Sequence, residues 1–552
     1  VRDLDLESLG PIFALAGVEV EAKGVVNGTA KGKIKDGRFE NLMTGVKARN
    51  LEVTAAQLKG DRLQTAALDM TIQLSQGKKT ISVDTLKIES DFACVAATGT
   101  VPTSFKTAAD FLEADSGYDL KGDIDCDLAA LAAQMPRMLG IKEGTQITSG
   151  RLTGSVETVT GDGKKQIRAD AIVAGLKGAV DGKKAALSES ITAEVLVSSD
   201  KAGISFDRFD ISAPFARINC AGRVESLKYD ATADLAKLQS ELGQFVQLGQ
   251  YKMAGELLSR GQVSAKEDTI SASGTSTVKN LLLSSQDGQS VSEPGADIGF
   301  AFSIDRRENI VTVDSASADA SFGRVNVSNG ILPMNEKSAQ PLIATVSARD
   351  VDLAKLLPFG VMFGSLPKEM ELSGIANSTL SVAVDGGVYR LATESTRIDG
   401  LKLTHPKAEK PFEANEVTLA FDAEIGSDGA INAKSLLLDS PLITIRKGLF
   451  SRHTEGETTT LAGDAELEYD WSAVGAVAAS YLPEGLKLEG RRRDAINFRS
   501  EYPATEPNQL VPNLSAQARL GFDKAGYKGL NFGPTDVEIQ FESGVLKIPP
   551  FT

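Results

Sequence analysis

The sequence predicts a mainly β protein: an elongated, twisted antiparallel sheet curled into a groove, built of repeats of about 115 residues that each start with a short helix. Three observations carry this prediction. The first is a recurring hexapeptide, seen at Val351-Asp352-Leu353-Ala354-Lys355-Leu356. Its near-copies begin at Leu4, Cys126, Ala233 and Tyr469, and successive aspartates (Asp5, Asp127, Asp234, Asp352, Asp470) lie 122, 107, 118 and 118 residues apart. The second is a later landmark, a small or acidic residue before a hydrophobic anchor. It occurs at Ser90-Asp91-Phe92, Ala213-Pro214-Phe215, Ala320-Ser321-Phe322, Ser440-Pro441-Leu442 and Pro549-Pro550-Phe551. The anchors fall 87, 88, 88, 90 and 81 residues after the aspartate. The third is apolar/polar alternation with the period of a strand.

The aspartates read as helix N-caps, because a carboxylate accepts the free amides of a first turn and suits the positive end of the helix dipole. After Asp127, Leu128, Leu131, Met135, Met138 and Leu139 fall at helical spacing, and after Asp234 so do Leu235, Leu238, Leu242, Phe245 and Val246. Pro11, Pro136, Pro358 and Pro483 are expected to kink or end these helices. About twenty residues past each aspartate comes a glycine, Gly24, Gly150, Gly255, Gly374 or Gly490, and then β-prone sequence. The units expected are 1–125, 126–232, 233–350, 351–468 and a partial fifth, 469–552.

Within the first unit Leu68, Met70, Ile72 and Leu74 alternate with polar residues, and Asp36-Gly37 and Gly77-Lys78-Lys79 read as turns. The second has Ile191, Ala193, Val195 and Val197 on one strand face and a tight turn at Asp181-Gly182. The third offers Ile298, Phe300, Phe302 and Ile304. In the fourth, Val417, Leu419, Phe421, Ala423 and Ile425 share a face, with Asp385-Gly386-Gly387 and Asp428-Gly429 as turns. The fifth carries Val537, Ile539 and Phe541, and its polar stretch Glu501–Pro512 reads as a loop. Six or seven strands per unit give about thirty strands, or on the order of 140 Å at ~4.8 Å per strand, so the sheet must twist or curl.

Charge and composition exclude several functions. Net charge is −15, with no basic cluster larger than Arg491-Arg492-Arg493, which argues against nucleic acid as a partner. Cys94, Cys126 and Cys220 read as small buried apolar residues, without the spacing of a disulfide framework or zinc site. His405 and His453, the only histidines, read as loop residues outside any metal motif. No Walker loop, nucleophile elbow or dinucleotide fingerprint is present. The chain therefore reads as a non-enzyme that needs no cofactor or metal. It contains no apolar run near the ~20 residues that cross a bilayer.

Half of each strand is apolar, and a broad apolar face must be covered. A second protein layer, the recurring helices or lipid could do so. Aromatic residues make up 6% of the chain, and a face of Val, Ile, Leu and Ala suits acyl chains, which need dispersion contact but no directional bonds. The Asp-Leu-Ala-x-Leu helix starts, together with Leu436-Leu437-Leu438-Asp439-Ser440-Pro441-Leu442 and Gly544-Val545-Leu546-Lys547-Ile548-Pro549-Pro550-Phe551, resemble the AsmA-like and TamB-like proteins of the Gram-negative cell envelope. That resemblance implies a periplasm-spanning β-groove carrying phospholipid between inner and outer membrane. It also implies inner- and outer-membrane protein partners and an inner-membrane anchor outside this chain. The residues expected to touch lipid are Leu68, Met70, Ile72, Leu74, Ile191, Val195, Val197, Ile298, Phe300, Phe302, Ile304, Val417, Leu419, Phe421, Ile425, Val537, Ile539 and Phe541. The alternatives are a scaffold or surface protein of closed β-sandwiches, and a factor in outer-membrane protein assembly.

Overall fold

Strands in this protein end on aspartates that turn the chain into helices. Asp127 closes strand Asp119–Asp127, and its carboxylate accepts the amides of Ala129 and Ala130 to cap α1 (Leu128–Gln134). Asp234 caps α2 (Leu235–Glu241) through the Lys237 amide, and Asp352 caps α3 (Leu353–Met362) through Ala354 and Lys355. Asp5 accepts from Glu7 at the 3-10 turn Leu6–Leu9, and Asp470 accepts from Ser472. Each carboxylate satisfies amides that the first turn leaves without internal partners. The aspartate backbone also binds the hydrophobic anchors. Asp127, Asp234 and Asp352 donate their amides to the carbonyls of Phe92, Phe215 and Phe322 at 2.8, 2.9 and 2.7 Å.

The computed structural model describes residues 1–9, 20–35, 38–55, 58–104, 117–161, 164–200, 203–285, 287–334, 340–363, 366, 369–404, 411–472, 486–506, 509–510, 512–542 and 545–547. The chain is mainly β, 74% strand and 7% helix, with antiparallel pairing and an open ladder. It divides into two compact units, Val1–Lys266 with Gly274–Pro294, and Glu267–Ser273 with Gly295–Thr552.

In the first unit the main strands from Leu4–Asp5 to Lys252–Lys266 pair in chain order. A short strand, Lys183–Ala186, folds back on Lys177–Val180. Asp181 and Gly182 join them with φ of 48° and 78°, the positive pair that a two-residue hairpin needs. In the second unit the same order runs from the 295–305 part of strand Ser290–Asp305 to Thr458–Asp470. It then continues through Arg491–Pro503, Leu514–Phe522, Thr535–Glu542 and Val545–Lys547. Gly386 and Gly387 make its equivalent tight turn, with φ of 55° and 80°.

Three of the recurring glycines sit at a bulge. Gly24, Gly150 and Gly374 each stand opposite two residues of the next strand, the first of them Asn50, Gly175 or Gly400 with φ near +50° to +63°. Gly255 has φ +127°, and a Cβ there would lie 2.8 Å from the Lys279 carbonyl oxygen. Position and backbone angle together require glycine at this site.

A second bulge recurs on the other half of each stretch. Asp84, Asp207, Asp314 and Lys434 are each the extra residue against the preceding strand, and each lies eight residues before Phe92, Phe215, Phe322 or Leu442. Local sequence explains it. Val83 and Leu86, Phe206 and Phe209, Val313 and Ala316, and Ala433 and Leu436 are spaced by three rather than two. One extra residue puts both members of each pair on one face.

Two expectations need correction, and of the two outcomes expected at Pro358 one does not occur: Pro358 lies inside α3 and does not end it. The last turn is held by tertiary packing, with the Phe359 ring 5.7 Å from Phe322, and packing outweighs the lost backbone bond. Glu501–Pro503 are strand rather than loop, paired with Thr458–Thr460. His453 is exposed but stands on strand Ile443–Glu455. Pro11, Pro483, His405, Asp36-Gly37, Gly544 and Ile548–Phe551 lie outside the described residues.

Replacing Asp127 by Ala removes two accepted amide bonds while leaving its backbone bond to Phe92. The variant is expected to lose about 1 kcal/mol of stability, read by urea denaturation with an unchanged m-value.

Candidate functional site

The strand registers carry apolar residues across whole ladders. In the first unit Gly28, Val46, Met70, Ile88, Val95, Ile124, Gly154, Ala171, Ala193, Ile211, Ile218 and Ala231 are successive cross-strand partners. A parallel row on the same face runs through Thr44, Ile72, Leu86, Ala97, Gly122, Val156, Ala169, Val195, Phe209, Cys220 and Tyr229. Neither row contains a charged residue. Twelve strands at ~4.8 Å make such a band roughly 50 Å long.

The intervening positions form the opposite, charged face. Lys47, Asp69, Glu89, Cys94, Asp125 and Thr153 are successive partners there. Ion pairs lace this face, including Lys47 with Asp69 at 3.4 Å, Arg208 with Glu194 at 3.0 Å and Arg260 with Asp230 at 2.5 Å. Arg151 donates from both Nε and Nη2 to Asp125 and holds that carboxyl below the usual carboxylate range. The bulged residues also belong to the charged side: Asp207 accepts from Gln166 at 2.7 Å, and Lys434 donates to Glu424 at 2.7 Å.

The second unit is built alike. Phe300, Ala316, Val327, Val346, Leu380, Thr393, Phe421 and Leu436 form one row. Another passes through Ala344, Val382, Leu391, Ala423, Ala433, Phe450, Gly463, Phe498 and Ala516. A Cβ at Gly463 would come 2.5 Å from the Phe498 ring, so glycine leaves room for the aromatic on its neighbour.

These apolar faces are partly open. No member of the Gly28-to-Ala231 row is fully buried, and Ile124 in its middle is 39% exposed. A fully buried cluster forms instead where the helices dock. Ala132 of α1 and Phe245, just past α2, meet Ile147 and Ala185. The segments after these helices are bonded to each other, Lys142 donating to Phe245 and Gln247 to Gly140.

Most of the residues expected to touch lipid stand on this face by register. Leu68, Met70, Ile72, Leu74, Ile191, Val195 and Val197 are half-buried in the first unit, as are Ile298, Phe300, Phe302, Ile304, Leu419, Phe421 and Ile425 in the second. Val417 is buried beside Ile398. Val537, Ile539 and Phe541 pair with Leu520, Ala518 and Ala516, and their side chains lie outside the description. Ala193 and Ala423 apart, alternation in the sequence overlooked the Ala and Gly members, because small residues carry little hydropathy signal. It also overlooked Phe206, Phe209, Val83 and Leu86, whose spacing of three hides them.

The last part of the second unit is different. Leu467 stands opposite Asp494, whose carboxylate accepts from the Tyr469 hydroxyl at 2.6 Å and the Gly521 amide at 3.3 Å. The Trp471 indole donates to the Gly521 carbonyl at 2.6 Å, its ring 5.1 Å from Tyr469. Arg492 pairs with Asp536 and Asp523, Arg491 with Glu468 and Arg493 with Glu466. Each arginine of the basic triplet thus faces a carboxylate.

Burial pushes the Cys126 and Cys220 thiols up. Among the described residues no group of three or more His, Cys, Asp or Glu side chains is placed to hold a metal ion, and no helix is long and apolar enough to cross a membrane. The sequence matches no protein-family model and no curated protein.

Burial, then the bond to Asp494, raises the Tyr469 pKa above the ordinary tyrosine range. A raised folded-state pKa means that this stabilisation is complete below about pH 10 and fades as pH climbs through the folded value. Tyr469→Phe should cost about 1 kcal/mol at neutral pH and flatten the fall of melting temperature above pH 10. Thermal melts from pH 8 to 11 measure both.

Proposed function

We propose that the protein is a lipid-transfer protein of the cell envelope, in which the apolar sheet face is the inner wall of a β-groove that shelters phospholipid acyl chains. The observation that carries this reading is the pair of uncharged cross-strand rows, whose members other than Gly122 are half-buried or, at Ile124, exposed. A closed sandwich would bury those side chains against a second sheet. Acyl chains complete the burial without requiring hydrogen bonds, and unbroken rows let a chain shift from one strand to the next with little change in contact.

On this proposal the chain is a series of duplicated units of about 115 residues, and the recurring features are the marks of duplication. They are the capping aspartate, the glycine bulge, the second bulge eight residues before the anchor, and the anchor itself. The resemblance to AsmA-like and TamB-like proteins points the same way. What that resemblance implies is a periplasmic location, an inner-membrane anchor in a segment outside this chain, and membrane proteins at either end as partners. Transfer on this scheme is passive, driven by the lipid gradient or by those partners.

Phe300 and Phe421 share one row, so Phe300→Asp with Phe421→Asp places two charges in the proposed lipid path. The double variant should keep its far-UV circular dichroism and lose most of its capacity to take up a fluorescent fatty acid. A photocrosslinker at either position should capture phospholipid in cells. If the charges instead unfold the protein, or the crosslinker captures no lipid, the face is a structural core and the transfer reading is wrong.

A further inference from the structure

Hydroxyl groups interrupt the apolar face at two corresponding places. In the first unit Ser259 Oγ lies 2.8 Å from Ser276 Oγ and 3.2 Å from the Tyr229 hydroxyl. In the second, Thr396 Oγ1 lies 2.6 Å from Ser378 Oγ and 3.3 Å from Thr393 Oγ1. Ser259 stands four residues after Gly255, and Ser378 four after Gly374. Both clusters lie on the apolar side: Ser259 is the cross-strand partner of Ala231, and Thr396 is the partner of Leu419.

The fold does not require hydroxyls here. Four residues after Gly24 and Gly150 the corresponding pairs are Gly28 with Val46 and Gly154 with Ala171. Three hydroxyls bring three O–H donors, and the two contacts within each cluster use two of them. One donor and several lone pairs remain for a neighbour. Ser259, Ser276, Ser378 and Thr396 are half-buried, so a molecule lying on the face can reach them. The described partners on these rows, Ala231, Leu380, Leu419 and Phe421, include no cation. An anion would lose its hydration there without a counter-charge. A neutral acceptor is desolvated at lower cost and needs no counter-charge.

We infer that the two clusters are polar stations that hydrogen-bond the ester carbonyls of a diacyl lipid lying on the apolar face. The inference rests on the acyl-lipid reading and adds to it a preference for ester-linked over ether-linked tails. An ester carbonyl offers one acceptor to one spare donor, and the tails lie on the flanking aliphatic residues.

The test offers the purified full chain an equimolar mixture of dioleoyl phosphatidylcholine and its diether analogue, which lacks both carbonyls, and reads bound lipid by native mass spectrometry. The wild type should favour the diester about fivefold, the size of one net hydrogen bond. Combining Tyr229→Phe, Ser259→Ala, Ser276→Ala, Ser378→Ala, Thr393→Val and Thr396→Val, which removes every hydroxyl of both clusters, should bring the ratio to about one without lowering diether occupancy, whereas Thr396→Ser, which keeps the hydroxyl, should retain the preference. Equal binding of the two lipids by the wild type overturns the inference and spares the acyl-lipid reading. That ratio decides even if the six-site variant does not fold. A preference that survives the six-site variant also overturns it, and failure to bind either lipid sinks both readings.

Discussion

Phase is the constraint on which this structure depends. A strand presents alternate residues to opposite sides, so a slip of one residue in any pairing exchanges the apolar and charged faces from that point onward. The first unit carries its ladder through many strands without such an exchange. Sequence spacing alone would not achieve this, because pairs such as Val83 and Leu86 or Phe206 and Phe209 break the period of two. The bulges at Asp84 and Asp207 absorb the odd residue and restore the phase. Their side chains are ionic, which suits a residue turned to the charged face. The Phe206 and Phe209 rings then meet edge to face at 6.3 Å.

The charged face makes this economical in another way. Most of its ion pairs are well exposed, and pairs of that kind contribute little stability each. What they do provide is specificity of pairing. Opposite charges across neighbouring strands, as in Arg260 with Asp230 or Lys47 with Asp69, favour the correct register over a slipped one that would oppose like charges. The excess of acid over base, −15 overall, keeps this side soluble while the other remains apolar.

Much of this was legible in the amino-acid sequence. The capping aspartates could be read because an N-cap is a local device: one carboxylate and the next three amides contain all of its chemistry. The strand faces could be read where two or more large apolar residues alternate, as at Ile298, Phe300, Phe302 and Ile304. The glycines could be located, but not their role. That Gly255 must accommodate the Lys279 carbonyl is a fact about two strands, invisible in either one alone. The eight-residue interval between bulge and anchor was present in the sequence at all four places. It went unread because the bulge appears only as a failure of alternation. The continuation of α3 past Pro358 was hidden for a related reason, since the packing of Phe359 on Phe322 joins residues far apart in the chain. The hydroxyl clusters were likewise hidden. Serine and threonine are common on strands, and only the register reveals that these point to the apolar side.

The mixture of large and small side chains on that side follows from the same geometry. Within a ladder each side chain is covered on two flanks by its cross-strand neighbours and along its strand by residues two places away. The remaining flank faces outward. Large residues throughout would crowd and strain the pleat. Gly154, Ala171 and Ala193, following Ile124, leave a shallow, even surface instead of a row of knobs. Such a surface does not interlock with a second protein layer, which needs protruding side chains and matching holes to reach native packing density. A flexible chain of methylenes needs neither, because it conforms to whatever relief it meets. On the proposed function, the same small residues that weaken the face as a partner for another sheet suit it to a mobile apolar guest.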